Sequence, residues 1–452
     1  MAAERTLFGT DGVRGIANKY PMTPEIALQL GKAVAHVFQN GKRPHVVIGK
    51  DTRLSGYLFE NAITAGLLAA GATVYLVGPL PTPAVAHLTR SFAADAGIMI
   101  TASHNPSEHN GIKIFDSQGF KLPDAKEQEI EELVLENIMK HGKDEWGDFI
   151  GKAHRIDDAR GRYIEFTKAT IGNASLKGLT IVLDCANGAA YSVTPTIFRE
   201  LGAQVITLNA TPDGLNINKE CGALHPAVIR EAVKEHKADI GIALDGDADR
   251  VVMVDEHGHD VDGDHILAIA ALELHRLGKL AKGTVVVTEY TNKGFNEAMA
   301  RAGIKVVRVE NGDRYVIEAM RSNAYNLGGE QSGHLIFLDH TSTGDGTIAA
   351  LQVLRIMRTT GKPLSELAKA MVSWPQVVRS VHVREKRPLE QLPKVQEAIS
   401  NAEQVLGQDG RVFVRYSGTE QKARIMIEGK ESDLVRELAE KIVVAFQEEV
   451  GA

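Results

Sequence analysis

The sequence predicts an α/β protein with three similar mixed or parallel α/β domains and a smaller C-terminal α+β domain around one central cleft. Three observations predict this class. A strand–helix–strand pattern occurs three times in succession, a polar loop ends each copy, and the order of elements changes between Lys362 and Pro375. Strands that alternate with helices of this length indicate βαβ units and a largely parallel sheet.

Each repeated unit starts with a β-branched strand, continues as a helix and returns through a small-residue turn into a second strand. The predicted strand pairs are 45–48 with 73–77, 180–183 with 205–206, and 284–287 with 305–307. Beyond residue 375 we expect strands at 377–383, 411–415 and 423–428, with helices at 389–405 and 431–450. The predicted domains are 1–154, 155–256, 257–368 and 369–452.

Composition excludes several classes of protein. The 452 residues carry a net charge of −7, which argues against a nucleic-acid groove because phosphate binding over a large surface needs a basic balance. Two cysteines cannot hold a disulfide scaffold, and the N-terminal residues lack an apolar signal segment. The uncharged stretch 61–86 is interrupted by glycines and prolines, so it does not indicate a membrane span. We therefore expect a cytoplasmic protein without nucleic-acid or membrane partners.

Three polar loops follow predicted strands, and ligands of open α/β sheets bind beyond the carboxyl ends of strands. In the second loop Asp245, Asp247 and Asp249 alternate, and such carboxylates repel one another unless a cation lies between them. Hard oxygen ligands suit Mg²⁺ or Ca²⁺, but Arg250 stands where an EF-hand needs glycine. Mg²⁺ that shares a phosphate oxygen is therefore the favoured interpretation, and a solvated acidic turn is the alternative.

The first loop presents Ser103 at a strand end, where a serine can act as a nucleophile or carry a phosphate. A plain turn is the alternative, because Ser, Asn and Pro are common turn residues. His104, His109 and Lys113 favour the chemical interpretation, since they supply positive charge and proton-transfer groups near one hydroxyl.

The third loop runs from Glu330 to His334 and combines groups that can hold the hydroxyls of a sugar, although a lone histidine is more often structural. In the last domain a turn between strands resembles a phosphate cradle, with a plain hairpin as the alternative. Its residues are Arg415, Ser417, Gly418, Thr419, Lys422 and Arg424. The glycine-rich loop 9–15 is weaker evidence, but it could bring Arg14 to a phosphorylated Ser103.

Six segments together resemble the α-D-phosphohexomutase family over essentially the whole chain. They are GTDGVRG (9–15), TASHNP (101–106), NGIK (110–113), LNINKECGALHP (215–226), DGDADR (245–250) and GGEQSGH (328–334). Several of them are typical of the bacterial branch that acts on glucosamine phosphates. One departure is that Tyr416 and Gln421 stand where relatives often carry proline.

The resemblance implies a role for each matched residue. Ser103 would be phosphorylated, and Mg²⁺ would be held by a phosphate oxygen of Ser103 together with Asp245, Asp247 and Asp249. Arg14, His104 and Arg250 would surround that phosphate, and Lys113 and His334 would transfer protons. Glu330 and Ser332 would hold the sugar hydroxyls, while Arg415, Ser417, Gly418 and Thr419, with Arg424 nearby, would bind the other phosphate.

The implied reaction interconverts glucosamine 6-phosphate and glucosamine 1-phosphate through a phosphoserine enzyme and glucosamine 1,6-bisphosphate. Its product would feed UDP-N-acetylglucosamine and cell-wall precursor synthesis, and a homodimer is a family-level expectation. The alternatives are a mutase for glucose or mannose phosphates and a non-catalytic sensor of sugar phosphates.

Overall fold

The computed structural model describes residues 7–9, 12–136, 149–417 and 421–451. Contacts between residues divide the chain into two units. One comprises the residues up to 289 together with 304–370, and the other comprises 290–303 together with the residues from 371 onward. The first unit holds three sheets and the second unit holds one.

The first sheet has seven strands in the order β1-β2-β6-β5-β3-β4-β7. Its strands and helices are β1 (Phe8–Gly9), β2 (Gly12–Ile16), α1 (Pro24–Val37), β3 (His45–Lys50), α2 (Ser55–Ala69), β4 (Thr73–Pro79), α3 (Thr82–Ser91), β5 (Ala96–Ile100), β6 (His109–Asp116), α4 (Asp124–Leu135) and β7 (Lys152–Arg155). Helix α1 begins at a favourable site, because the Thr23 hydroxyl accepts a hydrogen bond from the Ile26 amide and Pro24 occupies the first turn.

The second sheet has five strands in the order β12-β11-β10-β8-β9. Its elements are α5 (Ala159–Ala169), β8 (Thr180–Asp184), α6 (Val193–Glu200), β9 (Gln204–Leu208), α7 (Ala227–His236), β10 (Ile240–Leu244), β11 (Val251–Asp255) and β12 (Asp260–Val261). Every residue of β10 is buried, as expected of a central strand that is covered on both faces.

The third sheet has four strands in the order β14-β13-β15-β16. The elements of this region are α8 (Gly263–Arg276), β13 (Thr284–Thr288), α9 (Lys293–Arg301), β14 (Lys305–Val309), α10 (Asp313–Asn323), β15 (Leu327–Gly329), β16 (Leu335–Phe337), α11 (Gly346–Thr360) and α12 (Leu364–Leu367). Of these elements, α9 groups with the second unit.

The three sheets share one topology. In the first sheet, β3 pairs in parallel with β4 on one side and with β5 on the other, and the fourth strand, β6, pairs antiparallel with the third, β5. The same arrangement holds for β9-β8-β10-β11 and for β14-β13-β15-β16. The internal repeat that the sequence predicts is therefore present, and each polar loop joins the third strand of a unit to the fourth.

The second unit carries a three-stranded antiparallel sheet in the order β17-β19-β18. Its elements after α9 are β17 (Gln376–His382), α13 (Pro393–Leu406), β18 (Gly410–Tyr416), β19 (Lys422–Gly429) and α14 (Ser432–Val450). Both helices pack on this sheet through a buried apolar cluster that includes Leu406, Ile425 and Phe446. Together with the three repeated sheets, this unit confirms the predicted fold class.

The uncharged stretch 61–86 runs through the end of α2, all of β4 and the start of α3. This agrees with the interpretation that it is not a membrane span. No helix in the described ranges combines the length and the apolar character needed to cross a lipid bilayer.

Candidate active site

The three polar loops of the first unit lie against one another. The loop after β10 and the loop after β15 are joined by an isolated bridge between Arg250 and His334, and the Val251 amide donates to the Gly333 carbonyl at 3.1 Å. The loop after β5 reaches the same place through Ser103, whose hydroxyl donates to Oδ2 of Asp245 at 2.8 Å. Repetition of one topology thus brings residues 142 positions apart into contact.

Ser103 is held in an unusual position. Its backbone has a φ of +50°, in the left-handed region that residues other than glycine rarely adopt, and only 2% of its surface is exposed. The Ser103 amide donates to the Thr101 hydroxyl at 2.9 Å, and Nδ1 of His104 lies 3.3 Å from Oγ of Ser103. Strain of this kind concentrates at functional sites, where the surrounding structure maintains it.

Two residues outside the set predicted from the sequence hold the backbone of this loop. Arg53 is fully buried, and its guanidinium donates to the carbonyls of Ser103, at 3.0 Å, and Asn105, at 2.7 Å, and also to that of Pro106. Asn218 donates to the same Ser103 and Asn105 carbonyls from the second domain. The only sequence signals were that Arg53 follows β3 and that Asn218 lies in the 215–226 segment.

The acidic loop forms a buried cluster. Ligand oxygens of Asp245, Asp247 and Asp249 lie within 4.8 Å of one another, and none of the three residues is more than 4% exposed. Within the described residues, Oδ1 of Asp247 and Oδ1 of Asp249 are buried and receive no hydrogen bond. Buried carboxylate oxygens without donors are costly, and they are the hard ligands that Mg²⁺ or Ca²⁺ prefers, so this donor set fits a divalent cation.

The surroundings shift the pKa values of Asp245 and Asp249 in opposite directions. Burial raises the pKa of Asp245 well above its usual value, and the charges of Asp247 and Asp249 add to that effect. Burial also opposes ionisation of Asp249, but Lys113 and His334 outweigh it and hold its pKa well below the usual range. A cation among the three would reduce this repulsion.

Lys113 and His334 converge on one carboxylate oxygen. Nζ of Lys113 donates to Oδ2 of Asp247 at 2.8 Å and to Oδ2 of Asp249 at 3.1 Å, and Nδ1 of His334 lies 3.6 Å from the latter atom. On the other side of the imidazole, the Gly344 amide donates to Nε2 of His334 at 3.1 Å. Both proton-transfer candidates are therefore buried and oriented beside the acidic cluster.

Two guanidinium groups lie near the imidazole that contacts Ser103. Burial lowers the pKa of His104 to about 4, and the guanidinium charges of Arg250 and Arg14 contribute to that shift. Arg14 reaches this position because β2 pairs with β6, where Arg14 lies opposite Gly111. The structure thus gathers Arg14, His104 and Arg250 near one hydroxyl, an arrangement suited to a phosphate group.

The loop proposed to hold a sugar lies at the edge of this cluster. Glu330 accepts a hydrogen bond from the Gly312 amide at 3.2 Å, Ser332 is exposed, and Gly333 has a φ of +91°. A Cβ atom on Gly333 would lie 2.1 Å from the Val251 carbonyl oxygen. Only glycine allows the third loop to approach the second this closely.

In the second unit, Arg415 and Arg424 are opposite each other in the pairing of β18 with β19, and Nε of Arg415 lies 3.4 Å from the Tyr290 hydroxyl. Ser417 is buried at the end of β18, and its carbonyl accepts a hydrogen bond from Nζ of Lys386 at 2.6 Å. No sequence motif marks Lys386. Gly418 and Thr419 lie outside the described residues.

Family models match all four parts of the chain. The domains of phosphoglucomutase/phosphomannomutase match in order: alpha/beta/alpha domain I at 5–140, domain II at 161–258, domain III at 262–373 and the C-terminal domain at 380–445. The chain belongs to this family, the α-D-phosphohexomutases, and the resemblance inferred from its motifs is confirmed.

Within the family, the chain resembles curated phosphoglucosamine mutases over their full length. It is 54% identical to that of Pelobacter propionicus over 450 residues, covering 99% of both chains. It is 55% identical to that of Anaeromyxobacter sp. over 452 residues, covering 99% of this chain and 96% of the relative.

Solved structures share the fold. A phosphoglucomutase/phosphomannomutase family protein from Burkholderia thailandensis has a TM-score of 0.80 at 23% identity, covering 98% of this chain and 99% of its own. A putative phosphomannomutase from Thermus thermophilus has a TM-score of 0.75 at 25% identity, covering 96% and 97%.

Proposed function

We propose that this enzyme interconverts glucosamine 6-phosphate and glucosamine 1-phosphate through a phosphoserine and a 1,6-bisphosphate. The full-length identity to phosphoglucosamine mutases supports the substrate class. The contact of 2.8 Å between Oγ of Ser103 and Oδ2 of Asp245 carries the proposal, because a phosphoryl carrier must lie beside the cation that neutralises its charge, and Asp245 is one of the three carboxylates that would hold this cation. A homodimer and a cytoplasmic location remain predictions from the sequence.

We infer that Mg²⁺ is held by Asp245, Asp247, Asp249 and an oxygen on Ser103. The two buried oxygens without donors among the described residues support this set. When bound, the ion supplies positive charge that offsets the charge on the phosphoryl oxygens.

Phosphoryl transfer depends mainly on positioning and electrostatic stabilisation. An oxygen of the sugar hydroxyl attacks phosphorus, the bond from phosphorus to Oγ of Ser103 breaks, and the hydroxyl proton passes to a basic group. Arg14, His104 and Arg250 hold the phosphoryl oxygens during this step. Of Lys113 and His334, one accepts the proton of the attacking hydroxyl and the other supplies a proton to Oγ of Ser103.

The second half of the cycle is the same step in reverse, with the bisphosphate presented by its other end. This requires the sugar to be held in two orientations, a task for Glu330 and Ser332. It also requires a second phosphate site, to which we assign Arg415, Ser417, Gly418, Thr419 and Arg424. The buried position of Ser103 limits access of water, which would otherwise hydrolyse the phosphoserine.

Replacing the carrier tests the proposal. Ser103→Ala, assayed with Mg²⁺ and a glucosamine 1,6-bisphosphate primer, should lose isomerisation by about 1,000-fold or more, because the covalent route is removed. Intact mass should show a phosphate on primed wild-type protein and none on the variant. Ser107→Ala, in the same loop, is the matched control and should keep both properties.

Wild-type turnover by Ser103→Ala would contradict the proposal. Faster turnover of glucose or mannose 6-phosphate than of glucosamine 6-phosphate would favour the alternative mutase. Absence of both covalent phosphate and isomerisation in primed wild-type protein would favour the sensor.

A further inference from the structure

A threonine from the first domain contacts the acidic cluster of the second. Thr82 is the first residue of α3 and is fully buried. Its hydroxyl donates to Oδ2 of Asp247 at 2.6 Å, and its amide donates to the Asp247 carbonyl at 3.0 Å. These two bonds join residues 165 positions apart, so α3 holds both the backbone and the carboxylate of Asp247.

Among the described residues, hydrogen bonds reach only one of the two oxygens of the Asp247 carboxylate. Oδ2 of Asp247 also accepts a hydrogen bond from Nζ of Lys113 at 2.8 Å, so two donors meet at this atom. Oδ1 is buried and receives no hydrogen bond from the part of the chain that the structure describes. A carboxylate held in this way offers a cation a single oxygen.

We propose that Thr82 is a positioning residue that presents Asp247 to the divalent cation through Oδ1 alone and thereby favours Mg²⁺ over Ca²⁺. Mg²⁺ demands near-octahedral geometry with short bonds, whereas Ca²⁺ accepts more ligands and carboxylates that bind through both oxygens. A hydroxyl that keeps Oδ2 occupied opposes the two-oxygen mode. This proposal rests on the proposed function, since it requires a cation at the acidic cluster.

The chain provides a matched control on the same helix. Thr89 is also fully buried in α3, but its hydroxyl donates to the Val85 carbonyl at 2.8 Å, within the helix. Thr82→Val and Thr89→Val therefore remove the same group from the same helix, and only the first removes a donor to a carboxylate of the cluster. Thr82→Ser keeps that donor.

The experiment measures cation binding directly. Bound Mn²⁺ is followed by electron paramagnetic resonance on the full-length protein, and Mg²⁺ and Ca²⁺ are added as competitors. Partners of metal ligands typically contribute about 10- to 100-fold in affinity, and Lys113 remains on Oδ2. We therefore expect Thr82→Val to weaken Mg²⁺ binding about tenfold and Ca²⁺ binding less. Thr82→Ser and Thr89→Val should retain the wild-type ratio of the two affinities.

The outcomes separate this proposal from the one on which it rests. If Thr82→Val melts at a lower temperature but keeps the wild-type affinities and their ratio, Thr82 has only a structural role and the proposal is overturned, while the cation site stands. If wild-type protein binds no Mn²⁺, both fail. Thr82→Ala removes the same hydroxyl without adding a methyl group and decides the matter if the valine variant does not fold.

Discussion

Arg53→Lys is the sharpest test of how the Ser103 loop is held. The guanidinium donates to Oδ2 of Asp51 at 2.9 Å and to the carbonyls of Ser103, Asn105, Pro106 and His109, with none of its surface exposed. Lysine keeps the positive charge, but a single ammonium has three donors and cannot match this planar arrangement. The variant thus separates the geometry of the donors from their charge.

The magnitude follows from the acceptors that lose a donor. The Ser103 and Asn105 carbonyls keep Asn218 as a donor and the Pro106 carbonyl keeps the His109 amide, so the principal loss falls on the His109 carbonyl. An acceptor left without a donor costs about 1 to 3 kcal/mol, so this loss costs on the order of 2 kcal/mol of local stability. A displacement of Oγ of Ser103 by about 1 Å should lower kcat about 100-fold.

Two measurements check this prediction. Hydrogen–deuterium exchange should speed up at the amides of residues 103–109, and kcat for isomerisation should fall while KM changes little. Arg411→Lys is the control, because Arg411 donates in a similar way to Glu428 at 2.6 Å and to the Thr291 carbonyl at 2.7 Å, all within the second unit. Wild-type exchange at residues 103–109 together with wild-type kcat in Arg53→Lys would refute the reasoning.

Two further predictions concern pH and backbone strain. Burial lowers the pKa of His87 to about 4, and the charge of Arg90 contributes. Between pH 6.5 and 4 the unfolded chain therefore binds a proton that the folded protein excludes. The free energy of unfolding should fall by about 3 kcal/mol as the pH is lowered through this range. His87→Asn should flatten the pH dependence of the melting temperature in this range, and an unchanged slope would contradict the assignment. Gly333→Ala should unfold more readily and turn over substrate more slowly, because the added Cβ meets the Val251 carbonyl. Gly361 also has a positive φ, but no described atom lies within 4 Å of its Cβ, so Gly361→Ala should lower the free energy of unfolding by only about 1 kcal/mol. Equal melting temperatures for the two alanine variants would show that the contact with Val251 is not the cause.

The repeated units and the polar loops could be predicted from the sequence, because both are local patterns. Alternating strands and helices reveal the units, and a serine or an aspartate directly after a buried strand marks the loop edge of a sheet. Arg53, Thr82 and Asn218 have no such mark. Each acts through a partner at least 50 positions away, and which polar side chain turns inward depends on how the sheets pack together.

Helix α9 shows the same limit for domain organisation. It lies between β13 and β14, so the repeated pattern assigns it to the third domain, yet its contacts group it with the C-terminal residues. The Lys293 amide at its start donates to the buried Glu428 at 2.7 Å, and Asn292 exchanges hydrogen bonds with the backbone of Trp374. Contacts this far apart in sequence leave no periodic trace, and the four domain boundaries remain predictions.

The shared topology of the three sheets also explains why each polar loop contains one residue whose backbone lies in the left-handed region. The loop must leave a buried strand, project its side chains into the common site and return antiparallel within a few residues, and Ser103, Ala248 and Gly333 make that reversal with φ of +50°, +58° and +91°. Gly333 adopts it without strain, but Ser103 cannot be replaced by glycine without losing the hydroxyl. The chain therefore tolerates strain of about 1 to 3 kcal/mol at the position where the proposed reaction needs a side chain, and Arg53 and Asn218 supply hydrogen bonds that maintain it.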